Sequence, residues 1–179
     1  MLVEIIAEDG SQLPQGMVGE IIASGPNIMC GYVTEDEIRC GKIDGFGRLH
    51  TGDIGKFDRN GLLRVLGKIS TLINSAGERV FPGEVESVLE AHPAIRESAV
   101  FGIPDDVLGE KIVACVVLKP EATVQSDELR AHCLLSLPLV RAPREIRFAD
   151  YLPKTESGKI DRLHLQEYFN DLMPPTVHR

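Results

Sequence analysis

The first 66 residues carry the hydrophobic pattern of short strands joined by tight turns. Residues 18–24 (VGEIIAS) are an apolar run between glycines, which predicts a strand. Residues 55–66 predict two strands around the turn DRNG, because its Asn-Gly pair supplies the positive φ angles that tight hairpins need. Large apolar residues are few here, so this part is marginal as an independent core and is expected to belong to something larger.

After Gly67 the pattern changes to alternating helices and strands. Pro82 suits the first position of a helix, and Val85, Val88 and Leu89 then give an i, i+3, i+4 apolar face. The other predicted elements are strands at 97–103, 112–118 and 145–148, a helix capped by Ser126 that runs to about 137, and a last helix at about 162–170. The chain is therefore predicted to be α+β, with a β-rich part preceding an α+β part.

Composition narrows the class of protein. The 19 Lys and Arg residues against 27 Asp and Glu residues give a net charge of −8, which lacks the basic footprint of a nucleic-acid or anionic-membrane binder. Apolar residues at 43% and charged residues at 26% are typical of a soluble globular protein. No apolar run approaches the roughly 20 residues that span a bilayer, and no secretory signal is recognised, so a cytoplasmic location is expected.

Metal and hydrolase motifs are not found in the sequence. The four cysteines have no CxxC spacing and are expected to be free thiols; they are Cys30, Cys40, Cys115 and Cys133. The five histidines are scattered without an HExxH motif, and there is no GxSxG elbow. No metal site is therefore predicted.

Three segments carry residues suited to binding a nucleotide or an anion. In the first, LHTGD at 49–53, Gly52 lets a ligand approach the backbone and Asp53 could accept two hydrogen bonds from a ribose diol. The second is residues 67–86, which combine a basic residue, a strand, a glycine turn and a helix that starts with proline. Taken singly, the first is equally typical of an ordinary turn and the second of a strand-turn-helix unit with incidental charge.

The third segment, PKTESGKIDR at 153–162, places Lys159 behind Gly158 in a polar loop, where its ammonium could meet a phosphate or a carboxylate. It is not a P-loop, because Pro153 stands where a glycine is needed and Ile160 where Ser or Thr is needed. Taken alone, it is also typical of a solvated loop lysine.

In register, these segments resemble the C-terminal third of the AMP-forming adenylating enzymes. That family comprises the acyl- and aryl-CoA synthetases, the adenylation domains of nonribosomal peptide synthetases, and luciferase. The resemblance covers about residues 16–170 and rests on GEIIASGPNIMCGY, LHTGDIG, GKISTLINSAGERVFPGEVE, AVFGIPDDVLGEKIVACVVL and LPKTESGKIDR. His50 before Thr-Gly-Asp and the segment LINSAGERVFPGEVE favour the CoA-ligase branch over the amino-acid branch.

The resemblance implies a role for five residues. Asp53 would bind the ribose hydroxyls, and Lys68 would meet the nucleotide where the family usually has Arg. Ser70 falls at the hinge, where Asp or Lys is usual, and Gly77 lies in a turn that lines the thiol tunnel. Lys159 would be the catalytic lysine that bridges the carboxylate and the α-phosphate.

The resemblance also implies the organisation and the ligands. Residues 1–66 would be the β-rich tail of a large N-terminal adenylating domain, 67–70 the hinge, and 71–179 a C-terminal lid with a small β-sheet and two or three helices. ATP, Mg²⁺ and CoA or phosphopantetheine are the implied cofactors and substrates. The phosphate loop of the family is missing from this sequence, so the chain alone is expected to be inactive and to need the large domain, on another chain or upstream.

Two further partners and one alternative function remain open. A carrier protein could present the thiol, and an exposed apolar face predicts association or a homodimer. Lys68 and Ser70 depart from the family pattern, and these departures motivate the alternative: a non-catalytic module that binds a carrier protein or a partner enzyme.

Overall fold

The computed structural model describes residues 1–29, 31–33, 38–39 and 42–171, and the chain divides into two units, Met1–Ser70 (unit 1) and Thr71–Arg179 (unit 2). Cys30 and Cys40 lie outside the described residues. In the described part of the chain, no helix is long and apolar enough to cross a membrane.

Unit 1 is built on a four-stranded antiparallel sheet. Its strands, in spatial order, are β1 (Leu2–Ile6), β2 (Gly19–Ser24), β5 (Leu49–Phe57) and β6 (Leu63–Lys68). The short strands β3 (Tyr32–Val33) and β4 (Ile38–Arg39) pair separately, and a single 3-10 turn, Ile69–Thr71, follows β6. The predicted strand at 18–24 and the predicted hairpin at 55–66 are both confirmed.

The hairpin turn between β5 and β6 is held by one aspartate. Asp58 accepts backbone hydrogen bonds from Asn60 and Leu62, at 2.9 and 3.0 Å, and Gly61 adopts a φ of +76°. The apolar core of unit 1 is small, as the sequence predicted; its buried members are Ile5, Ile6, Ile21, Ile22, Ala23 and Ile54.

Unit 2 is an α+β unit, with five strands and three helices in residues 71–171. The strands are β7 (Ile73–Ser75), β8 (Glu78–Val80), β9 (Ile95–Asp105), β10 (Gly109–Leu118) and β11 (Glu145–Phe148), and the helices are α1 (Pro82–Glu90), α2 (Ser126–Leu134) and α3 (Arg162–Asp171). The central strand β10 is antiparallel to β9 and β7 and parallel to β11. The predicted small sheet with two or three helices is confirmed.

The starts of the first two helices differ in how well the sequence predicted them. Pro82 is the first residue of α1, as expected, and Val85 and Leu89 are fully buried. Ser126 was expected to cap α2 but is its first helical residue; Gln125 is the cap, and its side chain makes no capping hydrogen bond. That prediction is therefore wrong by one position, because the backbone is already helical at Ser126.

Alternate residues of β9 and β10 face two separate hydrophobic clusters. Val100 and Ile112 pack with α1 and α2, whereas Phe101 and Val113 pack with α3. Since successive strand residues point to opposite faces, both faces of this sheet are covered. This explains why residues 99–103 (AVFGI) and 112–118 (IVACVVL) are continuously apolar rather than alternating.

Side chains from two helices close the outer edge of β9. The carboxylate of Glu90 accepts the Ser98 N–H at 3.1 Å, and that of Glu86 accepts the Val100 N–H at 2.8 Å. Farther along the same edge, Gln166 Nε2 donates to the Gly102 carbonyl at 2.8 Å. Backbone groups that would otherwise offer a template for another strand are thereby satisfied within unit 2.

Candidate functional site

The Thr-Gly-Asp motif of unit 1 forms a bulge inside strand β5. Residues 51–53 face the single residue Ile21 of β2, and Gly52 takes a φ of +70°. The Thr51 hydroxyl donates to the Ile21 carbonyl at 2.7 Å and accepts the Asp53 N–H at 3.1 Å. The alternative of an ordinary turn is therefore wrong, because the motif lies within a paired strand.

Asp53 and Lys68, two of the predicted nucleotide-binding residues, lie side by side. They occupy directly paired positions of β5 and β6, and Lys68 Nζ lies 3.3 Å from Asp53 Oδ1. Both side chains are more than a third exposed, at 36% for Asp53 and 56% for Lys68. The pair therefore offers a carboxylate and an ammonium together at the surface of unit 1.

A network of charged side chains supports the bulge from β2 and from the loop before β5. Glu20 accepts the Gly52 N–H at 3.2 Å, and its other oxygen lies 2.9 Å from His50 Nδ1. His50 Nε2 lies 3.5 Å from Asp44 Oδ2. Hydrogen bonds from the Arg48 N–H and then the Arg48 side chain hold the pKa of Asp44 at about 2.

Sequence reasoning missed Glu20 and Asp44 as supports of the motif. Asp44 begins the stretch Asp-Gly-Phe-Gly, which is typical of a turn in which an aspartate binds the backbone ahead of it. Its Oδ1 does accept the N–H groups of Phe46 and Arg48, each at 2.9 Å. That signal was available in the sequence, whereas the contact between Glu20 and Gly52 depends on the register of two strands.

In unit 2, residues 153–161 form a closed polar loop, called here the lysine loop. The Asp161 N–H donates to the Pro153 carbonyl at 2.9 Å, which closes the base. The Thr155 N–H donates to the Lys159 carbonyl at 2.7 Å, and the Gly158 N–H to the Thr155 carbonyl at 2.8 Å, with Gly158 at a φ of +79°. The backbone of Lys159 is thus held from within the loop.

The Lys159 side chain is exposed and makes no salt bridge with any residue that the structure describes. Lys154, at the other end of the lysine loop, is different: its Nζ lies 2.9 Å from Glu97 Oε2. The hydrogen bond from Lys154 is the main cause that lowers the pKa of Glu97. One lysine therefore holds the loop to β9, and the other presents an ammonium to solvent.

Gly77 and Ser70 lie in two different turns. Ala76 and Gly77, with φ of +50° and +80°, form the two-residue turn between β7 and β8. A Cβ added at Gly77 would meet no described atom within 4 Å. Ser70 is exposed in the 3-10 turn Ile69–Thr71, at the end of unit 1.

Among the described residues, no group of three or more His, Cys, Asp or Glu side chains is placed to hold a metal ion. The two described cysteines, Cys115 and Cys133, are free and buried. Burial raises the pKa of both thiols, that of Cys133 to about 11.

Comparison with known proteins gives consistent matches. Residues 84–159 match the family model of the AMP-binding enzyme C-terminal domain. The sulfoacetate–CoA ligase of Cupriavidus necator is 38% identical over 161 residues, which are 90% of this chain and 32% of that protein. The chain spans about a third of the length of the curated relatives it matches.

Solved structures agree in fold over nearly the whole chain. ATP-bound MatB from Rhodopseudomonas palustris matches with a TM-score of 0.87 and 32% identity, over 96% of this chain and 34% of that one. The o-succinylbenzoate CoA synthetase from Bacillus subtilis, in complex with its acyl-adenylate intermediate, matches with a TM-score of 0.83 and 36% identity, over 92% and 33%.

Proposed function

We propose that this chain supplies the lid of an ATP-dependent carboxylate–CoA ligase. The chain belongs to the AMP-forming adenylating enzymes and corresponds to their C-terminal part. The observation that carries this proposal is the exposed ammonium of Lys159 on a loop whose backbone is held by its own hydrogen bonds. The relatives that support it include a CoA ligase and structures with ATP and with an acyl-adenylate.

In the first half-reaction, a carboxylate oxygen would attack the α-phosphorus of ATP, and the bond to pyrophosphate would break. Negative charge then builds up on the phosphoryl oxygens of the transition state. The Lys159 ammonium would stabilise that charge and hold the attacking carboxylate, which is the kind of task for which preorganised donors are most effective. Asp53 would accept hydrogen bonds from the ribose hydroxyls, and Lys68 beside it would meet the nucleotide.

In the second half-reaction, a thiol would attack the acyl carbonyl and AMP would leave. We assign residues 67–70 as the hinge about which the lid would turn between the two steps, with Ser70 as its central residue. Gly77 would line the path of the thiol, where a residue without a side chain leaves most room. The thiol would belong to CoA or to the phosphopantetheine of a carrier protein.

The large adenylating domain is the partner that this proposal requires, whether it lies upstream in the same polypeptide or on another chain. It would contribute the phosphate loop and the acyl pocket, so we expect this chain by itself to be inactive. A carrier protein that presents the thiol and a second copy of this chain are the further partners of this proposal. Mg²⁺ would accompany the phosphates of ATP.

The test is ATP–pyrophosphate exchange with a panel of carboxylic acids, with the chain alone and with its large domain supplied. Exchange is expected only with the large domain. Lys159→Ala should lower it by about 10²–10³-fold, which is typical for the loss of one well-placed donor.

Lys119→Ala is the matched control. Lys119 is also in unit 2, but its ammonium donates to the Pro93 carbonyl at 2.7 Å instead of standing on the lysine loop. Equal exchange in the Lys159→Ala variant and the control would contradict the catalytic role. No exchange with any acid, in the presence of the large domain, would favour the non-catalytic binding module instead.

A further inference from the structure

A largely buried carboxylate of helix α1 binds the residue that directly follows the lysine loop. Arg162 begins α3, and its terminal nitrogen Nη2 donates to both oxygens of Glu86, at 2.6 and 2.8 Å. These residues are 76 positions apart in the chain. The Glu86 side chain is only 13% exposed and that of Arg162 30%, so water screens the pair less than it screens a surface salt bridge.

Closure of the β9 edge does not by itself require this ion pair. Three side chains cap backbone groups of this edge: Glu86 at Val100, Glu90 at Ser98 and Gln166 at Gly102. No salt bridge is described for Glu90 or Gln166. Glu86 differs because it also binds a guanidinium. The pairing leaves the buried Arg162 Nε without a hydrogen-bond partner, so the guanidinium is not placed to satisfy all of its own donors.

The ion pair is placed where the lysine loop joins the rest of unit 2. Asp161, whose N–H closes the loop onto the Pro153 carbonyl, is the residue immediately before Arg162. Within the loop, the Lys159 carbonyl accepts both the N–H and the hydroxyl of Thr155. The loop is therefore tied internally, and two attachments set its position on unit 2: the Lys154–Glu97 salt bridge to β9 and the contacts that hold its base at Arg162.

We infer that Glu86 is a positioning residue, which acts through Arg162 to fix the lysine loop and with it the ammonium of Lys159. The catalytic consequence rests on the proposed function, whereas the effect on the loop does not. A charged donor and a charged acceptor form the stronger class of hydrogen bond, so they hold the loop base better than neutral caps would. Small displacements of a catalytic group lower rates steeply, which gives the ion pair its significance.

The first measurement uses this chain alone and follows amide hydrogen exchange at Gly158 and Asp161. Glu86→Gln keeps an oxygen for the Val100 N–H but removes the charge that binds Arg162. We expect exchange at both loop amides to become about tenfold faster, because a charge-assisted hydrogen bond is lost. Amides in the centre of β10 should keep their exchange rates.

Glu90→Gln is the matched control for this measurement. Glu90 lies one turn farther along α1 and caps the same strand edge at Ser98, but no hydrogen bond or salt bridge between its side chain and Arg162 is described. Faster loop exchange in Glu86→Gln alone supports the inference. No acceleration, or an equal acceleration in both variants, overturns it. If Glu86→Gln fails to fold, Arg162→Gln tests the same pair from its other side.

The second measurement adds the large domain and compares kcat with KM in the adenylation step. A positioning role predicts that Glu86→Gln lowers kcat about tenfold and leaves the KM for ATP within about twofold. The double variant Glu86→Gln, Arg162→Gln should be no slower than the slower single variant, since both remove one interaction. A higher KM with an unchanged kcat overturns the inference. If Lys159→Ala proves as active as wild type, the proposed function fails, and loop exchange still decides whether Glu86 positions the loop.

Discussion

The ammonium of Lys68 lies 3.3 Å from a carboxylate oxygen of Asp53, at directly opposed positions of β5 and β6. Both side chains are partly exposed, and such pairs contribute about 0–1 kcal/mol to stability. The pairing therefore matters less for the fold than for what it presents: two opposite charges, side by side, that a ribose and a phosphate could each engage.

Lys68→Ala is expected to separate nucleotide binding from stability. The free energy of unfolding should change by less than about 1 kcal/mol, because the pair is exposed. The KM for ATP in the presence of the large domain should rise about tenfold, since a donor to the nucleotide is lost. Lys56→Ala is the control, because Lys56 is a lysine of the same sheet, on β5, at the position paired with Arg64. A large loss of stability with an unchanged KM would show that Lys68 is only structural.

Asp44 should make unit 1 sensitive to acid. Its pKa is about 2 in the folded chain, chiefly because of the hydrogen bond from the Arg48 N–H, against an ordinary value of 3.8. A lowered pKa means that the stabilisation is present above pH 3.8 and is lost as the pH falls through about 2. The measurement is urea unfolding of wild type and of Asp44→Asn between pH 2 and 5, in which the unfolding of unit 1 is monitored through spectroscopic signals of β5 residues. The stability difference between them should be constant at the upper end and shrink towards pH 2; a difference that does not depend on pH would contradict this assignment.

The turn between β7 and β8 contains an alanine in a conformation that favours glycine. Ala76 has a φ of +50°, which an L-residue adopts only at a cost. Ala76→Gly should therefore stabilise unit 2 by about 0.5–1 kcal/mol, because the strain that it relieves exceeds the conformational entropy that glycine adds to the unfolded chain. Thermal unfolding measures this, and a lower midpoint for the glycine variant would refute it.

Gly77→Ala tests the proposed path of the thiol. Strain at a φ of +80° should cost stability, by about 1 kcal/mol. Apart from its chain neighbours, no described atom lies within 4 Å of the added methyl, so steric contact within unit 2 would not explain a larger effect on function. We expect thioester formation to slow more than pyrophosphate exchange. Equal slowing of both half-reactions would show that Gly77 matters only for the fold.

The two described thiols should be unreactive in the native chain. Both are fully buried, and burial raises both pKa values; at pH 8 the Cys133 thiol, with a pKa of about 11, is ionised in only about one molecule in a thousand. Iodoacetamide followed by peptide mass spectrometry should therefore leave Cys115 and Cys133 unmodified until urea is added. Rapid labelling of either residue without denaturant would mean that unit 2 opens locally.

The periodicity of the sequence predicted the elements of unit 2 well, because the pattern of apolar residues within a strand or helix depends on which of its own faces are buried. The apolar runs around Val100 and Val113 predicted strands, which the structure shows to be buried on both faces, and Pro82 marked the first residue of α1. The start of α2 was misplaced by one residue, since a serine looks the same in sequence at the cap and at the first helical position.

The sequence by itself determined the division into a β-rich part and an α+β part and the residues that carry charge in polar loops, because these depend on local composition and spacing. The family was predicted from the resemblance of five segments in register. Only the tertiary structure decided which charges meet. The bulge at 51–53 shifts the register of β2 against β5, and a different register would turn alternate side chains to the other face. The approach of Glu86 to Arg162 depends likewise on how two helices pack against one sheet, and such contacts between distant positions leave no periodic signal in the chain.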